Sequence, residues 1–66
     1  MQRIITVEEI EWVPRSNSKM FFKDVKGKWY KGPRVVVGEV IIAEVTDKEQ
    51  EDGYYHIIEI KDRVLK

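Results

Sequence analysis

Apolar residues in this chain alternate with polar ones at a period of two, in short runs cut by turn-forming residues. The first run is residues 3–13, RIITVEEIEWV. Ile5 and Val7 share one parity while Ile10 and Trp12 share the other, and a strand keeps one buried face only while its period is unbroken. The slip falls at Glu8-Glu9 and predicts a β-bulge or sharp bend there. Ile4, Val7 and Glu11 also fall at helical spacing, but the β-branched density of Ile4, Ile5, Thr6, Val7 and Ile10 favours a strand.

Pro14-Arg15-Ser16-Asn17-Ser18 ends that strand with a proline and continues in turn formers, so it reads as a loop. A second strand follows over residues 19–24, and a third begins at Lys28. Between them Val25-Lys26-Gly27 fits a type I turn closed by a left-handed glycine, the G1-bulge arrangement. That turn sets Phe22 opposite Tyr30, with Phe21 near Lys31 and Lys23 near Trp29. One face of the hairpin then carries Lys19, Phe21, Lys23, Trp29 and Lys31; the other carries Met20, Phe22 and Tyr30. A two-residue turn at Lys26-Gly27 would instead put Trp29 with Phe22 and reverse its role.

Gly32-Pro33 stops the third strand, and residues 34–37 are too few for a stable helix. Gly38 opens a Val/Ile strand over residues 39–46, apolar on both faces at its start, as a central or barrel strand is. A polar, acidic loop over residues 47–53 leads to a last strand, residues 54–60, which the tail either continues or lets fray. Tyr54 and Tyr55 point to opposite faces, and parity alone does not say which is inside. Five strands, a bent first one and hairpin connections predict a small five-stranded antiparallel all-β barrel with little or no helix. Its expected core is Ile5, Val7, Ile10, Trp12, Met20, Phe22, Tyr30, Ile41, Val45, Ile57 and Ile60.

Composition narrows the chemistry. Sixty-six residues make one domain, residues 1–66, with no cysteine and a single histidine, His56. Disulfide staples and thiolate metal sites are therefore excluded, and no cofactor is expected. No apolar run reaches membrane-spanning length and no signal-peptide pattern opens the chain, which makes a soluble cytoplasmic protein the expectation. The abundance of charge with Ile, Val, Glu and Lys resembles a thermophile's composition.

Formal net charge is zero, yet the charges are segregated. Residues 1–13 set Arg3 against Glu8, Glu9 and Glu11. Residues 14–37 set Arg15, Lys19, Lys23, Lys26, Lys28, Lys31 and Arg34 against Asp24 alone, a net of +6. Residues 38–66 are net −4. A basic block between acidic ends produces a local positive field on a neutral molecule, unless neighbouring strands neutralise it. The block also holds Phe21, Phe22, Trp29 and Tyr30, and aromatic rings between lysines suit a surface that stacks bases while tracking phosphates.

An enzyme is not expected: no Ser/His/Asp set, glycine-rich phosphate loop or metal-ligand spacing occurs. Glu8, Glu9, Glu11 and His56 read as a solvated strand face and a locally bonded strand residue. The bent first strand, the aromatic hairpin MFFKDVKGKWY, Gly38 opening a Val/Ile strand and the closing Gly53-Tyr54-Tyr55-His56-Ile57 together resemble the OB-fold. The likeness is in particular to small single-stranded nucleic-acid-binding proteins of phage and archaeal type. That resemblance implies a ligand surface on strands two and three, flanked by the first and last hairpin loops. The candidate binding residues are Arg15, Lys19, Phe21, Lys23, Trp29, Lys31, Arg34 and Tyr55, and the partner is single-stranded DNA in preference to RNA. The chain departs from the resemblance in lacking room for a helix between strands three and four, and in its acidic last loop. The alternative from another class is a small-barrel adaptor for a protein partner or a second copy, contacted through an aromatic cluster or strand edge.

Overall fold

The first strand organises the molecule because it belongs to two sheets at once. In the computed structural model, which describes residues 1–11 and 19–64, β1 (Gln2–Glu11) pairs antiparallel with β4 (Val40–Val45) through its first half. Its second half pairs antiparallel with β2 (Met20–Asp24), and the register shifts between Val7 and Glu9. Glu8 is the extra residue at that shift. The bulge lets Ile5 and Val7 stay buried before it and turns Ile10 toward the same core after it, as the parity slip predicted. Trp12 and Arg15 lie outside the described residues.

β2 and β3 (Trp29–Gly32) form the expected hairpin, with Phe22 opposite Tyr30, Phe21 opposite Lys31 and Lys23 opposite Trp29. The Gly27 N–H donates to the Asp24 carbonyl at 3.0 Å, and Gly27 itself has φ +88°. A left-handed residue here matches the twist of the two strands, and glycine enters that region without steric cost. The Asp24 side chain completes the turn: Oδ1 accepts from the N–H groups of Lys26 (3.0 Å) and Lys28 (2.9 Å). The Tyr30 hydroxyl donates to Oδ2 at 2.9 Å. A carboxylate 4% exposed is tolerable because these donors replace its lost water.

At Gly32 the β3 backbone passes Ile57 so closely that an added Cβ would lie 2.5 Å from Ile57 Cγ1. Pro33 ends the strand, and the chain crosses to β4 without a helix. Of the three valines in that segment only Val35 is buried; its N–H meets the Met20 sulfur at 3.3 Å. Val35 thus joins the core from the crossover. Glu39, also buried, receives the Val36 N–H on Oε1 at 3.1 Å and faces Arg63 Nη1 at 3.4 Å through Oε2.

β5 (Tyr55–Val64) runs beyond the predicted residue 60 and pairs antiparallel with β4, with register shifts at Ile42/Ala43 and Glu44/Val45. On its other side it pairs with β3 in parallel, Tyr30 with Tyr55 and Lys31 with His56. The result is a closed all-β barrel of order β1-β2-β3-β5-β4. The expected antiparallel pairing holds at every seam of the barrel but this one: β3 and β4 are not neighbours, so the crossover brings β5 in beside β3 in the same direction.

The core holds Ile5, Val7, Met20, Phe22, Tyr30, Val35, Ile41, Ala43 and Val45. Ile10, Ile57 and Ile60 pack against it while only partly buried. Val35 and Ala43 join the core without having been expected there. Phe22 and Tyr30, stacked at 5.5 Å between centroids, form its centre.

Candidate nucleic-acid interface

The outer face of the β2–β3 hairpin follows from the register. Residues whose side chains alternate away from Phe22 and Tyr30 must point outward, and these are Phe21 and Lys23 on β2 with Trp29 and Lys31 on β3. All four are half-buried, and Lys19 is exposed just before β2. Trp29 is therefore outside the barrel, as the bulged turn predicted and a two-residue turn would not allow.

The third ring of this face comes from the segment before β5. Tyr54 lies flat on Phe21, with centroids 4.3 Å apart and planes 16° from parallel. Trp29 meets Tyr54 edge-on at 6.3 Å and 90°. Offset stacking and edge contact are the two arrangements that aromatic quadrupoles favour, so the three rings hold one another in place.

Tyr55, the residue the sequence reading put in the interface, is on the other side of the strand. It packs against the core and sits 5.7 Å from the Tyr30 ring. Residues opposite each other in a ladder share a face, and Tyr55 is opposite the buried Tyr30. Parity thus sends Tyr54 out and Tyr55 in. The signal that would have identified Tyr54 is the parallel register between β3 and β5, which no local pattern carries.

The acidic loop is tied together by its own hydrogen bonds. The Tyr54 N–H donates to Asp52 Oδ1 at 3.0 Å, and Asp52 Oδ2 pairs with His56 Nε2 at 2.8 Å. Gln50 and Gly53 close the turn, the Gln50 N–H to the Tyr54 carbonyl and the Gly53 N–H to the Gln50 carbonyl, each at 2.9 Å. The hydrogen bond to His56 holds the Asp52 carboxyl below its usual range, with the Tyr54 N–H contributing less. One acid of the loop is thereby used to position Tyr54.

Not all the lysines of this face are equivalent. Lys23 Nζ sits 3.3 Å from Glu9 Oε1 and 3.5 Å from Glu8 Oε2, and 5.9 Å from the centre of the Trp29 ring. The Glu9 carboxylate raises the Lys23 pKa, so the ammonium stays charged. The bulge thus aims two acidic side chains at one of the predicted phosphate contacts. Lys31, between Phe21 and His56 in the ladder, meets no carboxylate at ion-pair distance among the described residues. Arg34 is exposed on the crossover beyond β3, outside the hairpin. Among the described residues no three His, Asp or Glu side chains are grouped to hold a metal ion.

Comparison with protein-family models, with curated proteins and with solved structures returns no match to this chain.

Proposed function

We propose that the chain is a non-catalytic module that binds single-stranded nucleic acid, with DNA favoured, on the outer face of β2 and β3. The observation that carries this reading is the Phe21–Tyr54–Trp29 cluster. Three aromatic rings lie on the outside of a barrel whose core is already filled by Phe22 and Tyr30. Exposed rings contribute about 1–3 kcal/mol per stacked base and tolerate any base, because every base has a π-face. Lys19 and Lys31 flank the rings and supply the sequence-independent attraction to phosphates. A closed five-stranded barrel in which the chain crosses from β3 to β4 past β5 supports the OB-fold resemblance, whose ligand surface lies on strands two and three.

Duplex DNA binds this face less well, since its bases are already stacked. Titration of the protein with oligo-dT, read by tryptophan emission, tests the reading. A Trp12→Phe background leaves Trp29 as the sole reporter. Quenching that weakens as salt rises is the expected result; no quenching and no retention on single-stranded DNA at low salt would reject it.

The adaptor reading has an observation of its own. Ile4 is 70% and Ile58 65% exposed, and Ile4 lies beside the half-buried Ile42 across β1 and β4. The Ile4–Ile42 pair lies on the β1–β4 ladder, away from the β2–β3 face, whereas Ile58 lines a groove with Lys19 and Pro33. A protein partner there is the reading that remains if oligo-dT fails to bind.

A further inference from the structure

At the end of the barrel where β3 and β5 begin, two cations converge on one ring. The Arg3 guanidinium carbon lies 5.1 Å from the centre of the Tyr55 ring, and Lys28 Nζ lies 5.5 Å from it. The fold sets the ring and the backbone positions from which both charges reach it. Arg3 is on the inward parity of β1, opposite the buried Ala43. The Lys28 main chain is held by its N–H bond to Asp24, and Tyr55 by its place opposite Tyr30.

Neither cation meets a carboxylate at ion-pair distance among the described residues. Asp24, the acid built into the same end, already accepts two backbone N–H groups and the Tyr30 hydroxyl. Glu44 and Asp47 are occupied by the N-terminal ammonium. Arg3 Nε is buried with no acceptor at all. A guanidinium set over a ring, with no carboxylate at ion-pair distance among the described residues, keeps its terminal N–H groups for an anionic partner.

We propose that Arg3, Lys28 and Tyr55 form a phosphate-binding site at this end of the barrel, distinct from the aromatic face. The terminal nitrogens of Arg3 are the groups an incoming oxyanion meets, since only Nε is cut off from solvent without an acceptor. The Lys28 ammonium adds a second positive charge, and the Tyr55 hydroxyl is available as a neutral donor. Tyr54 and Tyr55 stand on the two sides of one strand end. A nucleic-acid strand leaving the ring platform past the start of β5 therefore meets this site next. The nucleic-acid source of the phosphate rests on the function proposed above; the oxyanion site itself does not.

The test is a ¹H–¹⁵N titration of the full chain, following the Arg3 Nε–H and the Lys28 and Tyr55 amides. The probes are inorganic phosphate, thymidine 5′-monophosphate and oligo-dT, with sodium chloride at matched ionic strength as the blank. Saturable shifts at Arg3 and Lys28 with phosphate but not chloride are expected. Lys28→Gln should weaken phosphate binding at least fivefold and reduce the Arg3 Nε shift, and Arg3→Lys, which keeps the charge but loses the fork of donors, should weaken the binding read at the Lys28 amide. Lys48→Gln, a change in the acidic loop, should alter neither. Oligo-dT that shifts Arg3 and also quenches Trp29 assigns the phosphate to a bound strand. Phosphate and mononucleotide shifts without oligo-dT quenching keep the site and discard the strand. Shifts equal in chloride, or spread over all lysines alike, would overturn the site.

Discussion

Tyr30 carries two roles in one side chain: its ring stacks on Phe22 in the core and its hydroxyl donates to the buried Asp24 carboxylate. Burial first, and then the Asp24 contact, push its pKa well above that of a free tyrosine. The protonated form is thus favoured in the folded state. Its contribution to stability is complete below the unfolded value of about 10 and is lost as pH rises beyond that toward the folded value. Urea unfolding between pH 8 and 11 should show stability falling at the alkaline end. Tyr30→Phe should reduce that alkaline loss but cost about 1–3 kcal/mol at neutral pH, because Asp24 Oδ2 is left without its buried donor. A mutant whose alkaline limb is as steep as the parent's would show that another group is responsible. Gly32 makes the opposite demand, for the absence of a side chain. An added Cβ would fall 2.9 Å from Ile57 Cβ as well as against Cγ1, and a β-branched Cβ next to the main chain has little freedom to move. Gly32→Ala should therefore lower stability by about 1–3 kcal/mol, measured by the urea midpoint, although the glycine is in no turn.

The β2–β3 hairpin is legible in the sequence because its information is local. Val25-Lys26-Gly27 sets the turn, the turn sets the register, and the register sends Trp29 out and Phe22 in. The β1 bulge was legible for the same reason, since a parity slip at Glu8-Glu9 is written in consecutive residues. The β3–β5 seam was not. Two ladder pairs join strands separated by a crossover and all of β4, and their parallel direction follows from barrel closure. That is why Tyr55 was assigned to the face that Tyr54 occupies. Val35 escaped for a related reason: in a run of three valines only tertiary contact distinguishes the one that enters the core. The tyrosine assignment is directly testable. Trp29→Ala should weaken oligo-dT binding by about 1–3 kcal/mol with the fold intact, and Tyr54→Ala should do the same. Tyr55→Ala should instead lower the unfolding midpoint, since its ring packs on the core. Were Tyr54→Ala to bind normally while Tyr55→Ala lost only stacking affinity, the parity drawn from the β3–β5 ladder would be refuted. Gly27→Ala belongs with these, as φ +88° puts a Cβ in a region costing about 1–2 kcal/mol. Circular dichroism melting would register that loss.

At the scale of the whole molecule, the segregation of charge along the chain is partly undone by folding. The acidic residues of β1 and the basic residues of the hairpin lie in different blocks of the sequence, but the antiparallel pairing of β1 with β2 makes them neighbours. Glu8 and Glu9 both reach Lys23, so part of the positive field is spent within the protein. These ion pairs are solvent-exposed and contribute little to stability; their consequence is electrostatic. A phosphate approaching Lys23 meets an ammonium already accompanied by two carboxylates, whereas one approaching Lys31 does not. Lys31→Gln should accordingly weaken oligo-dT binding more than Lys23→Gln. It should also reduce the slope of log affinity against log salt by about 0.7 if one phosphate contact is lost. Removing the acids tests the same balance from the other side. Glu8→Gln with Glu9→Gln leaves the bulge backbone and the Lys23 stem unchanged and releases the ammonium for a phosphate. The double variant should bind oligo-dT more tightly at low salt, with a slope steeper by about 0.7, and the gain should fade as salt screens it. Its unfolding midpoint should move little. Affinity and slope both unchanged in that variant would mean that the strand does not pass Lys23, and would confine the bound nucleotides to the Tyr54 and Lys31 side of the face.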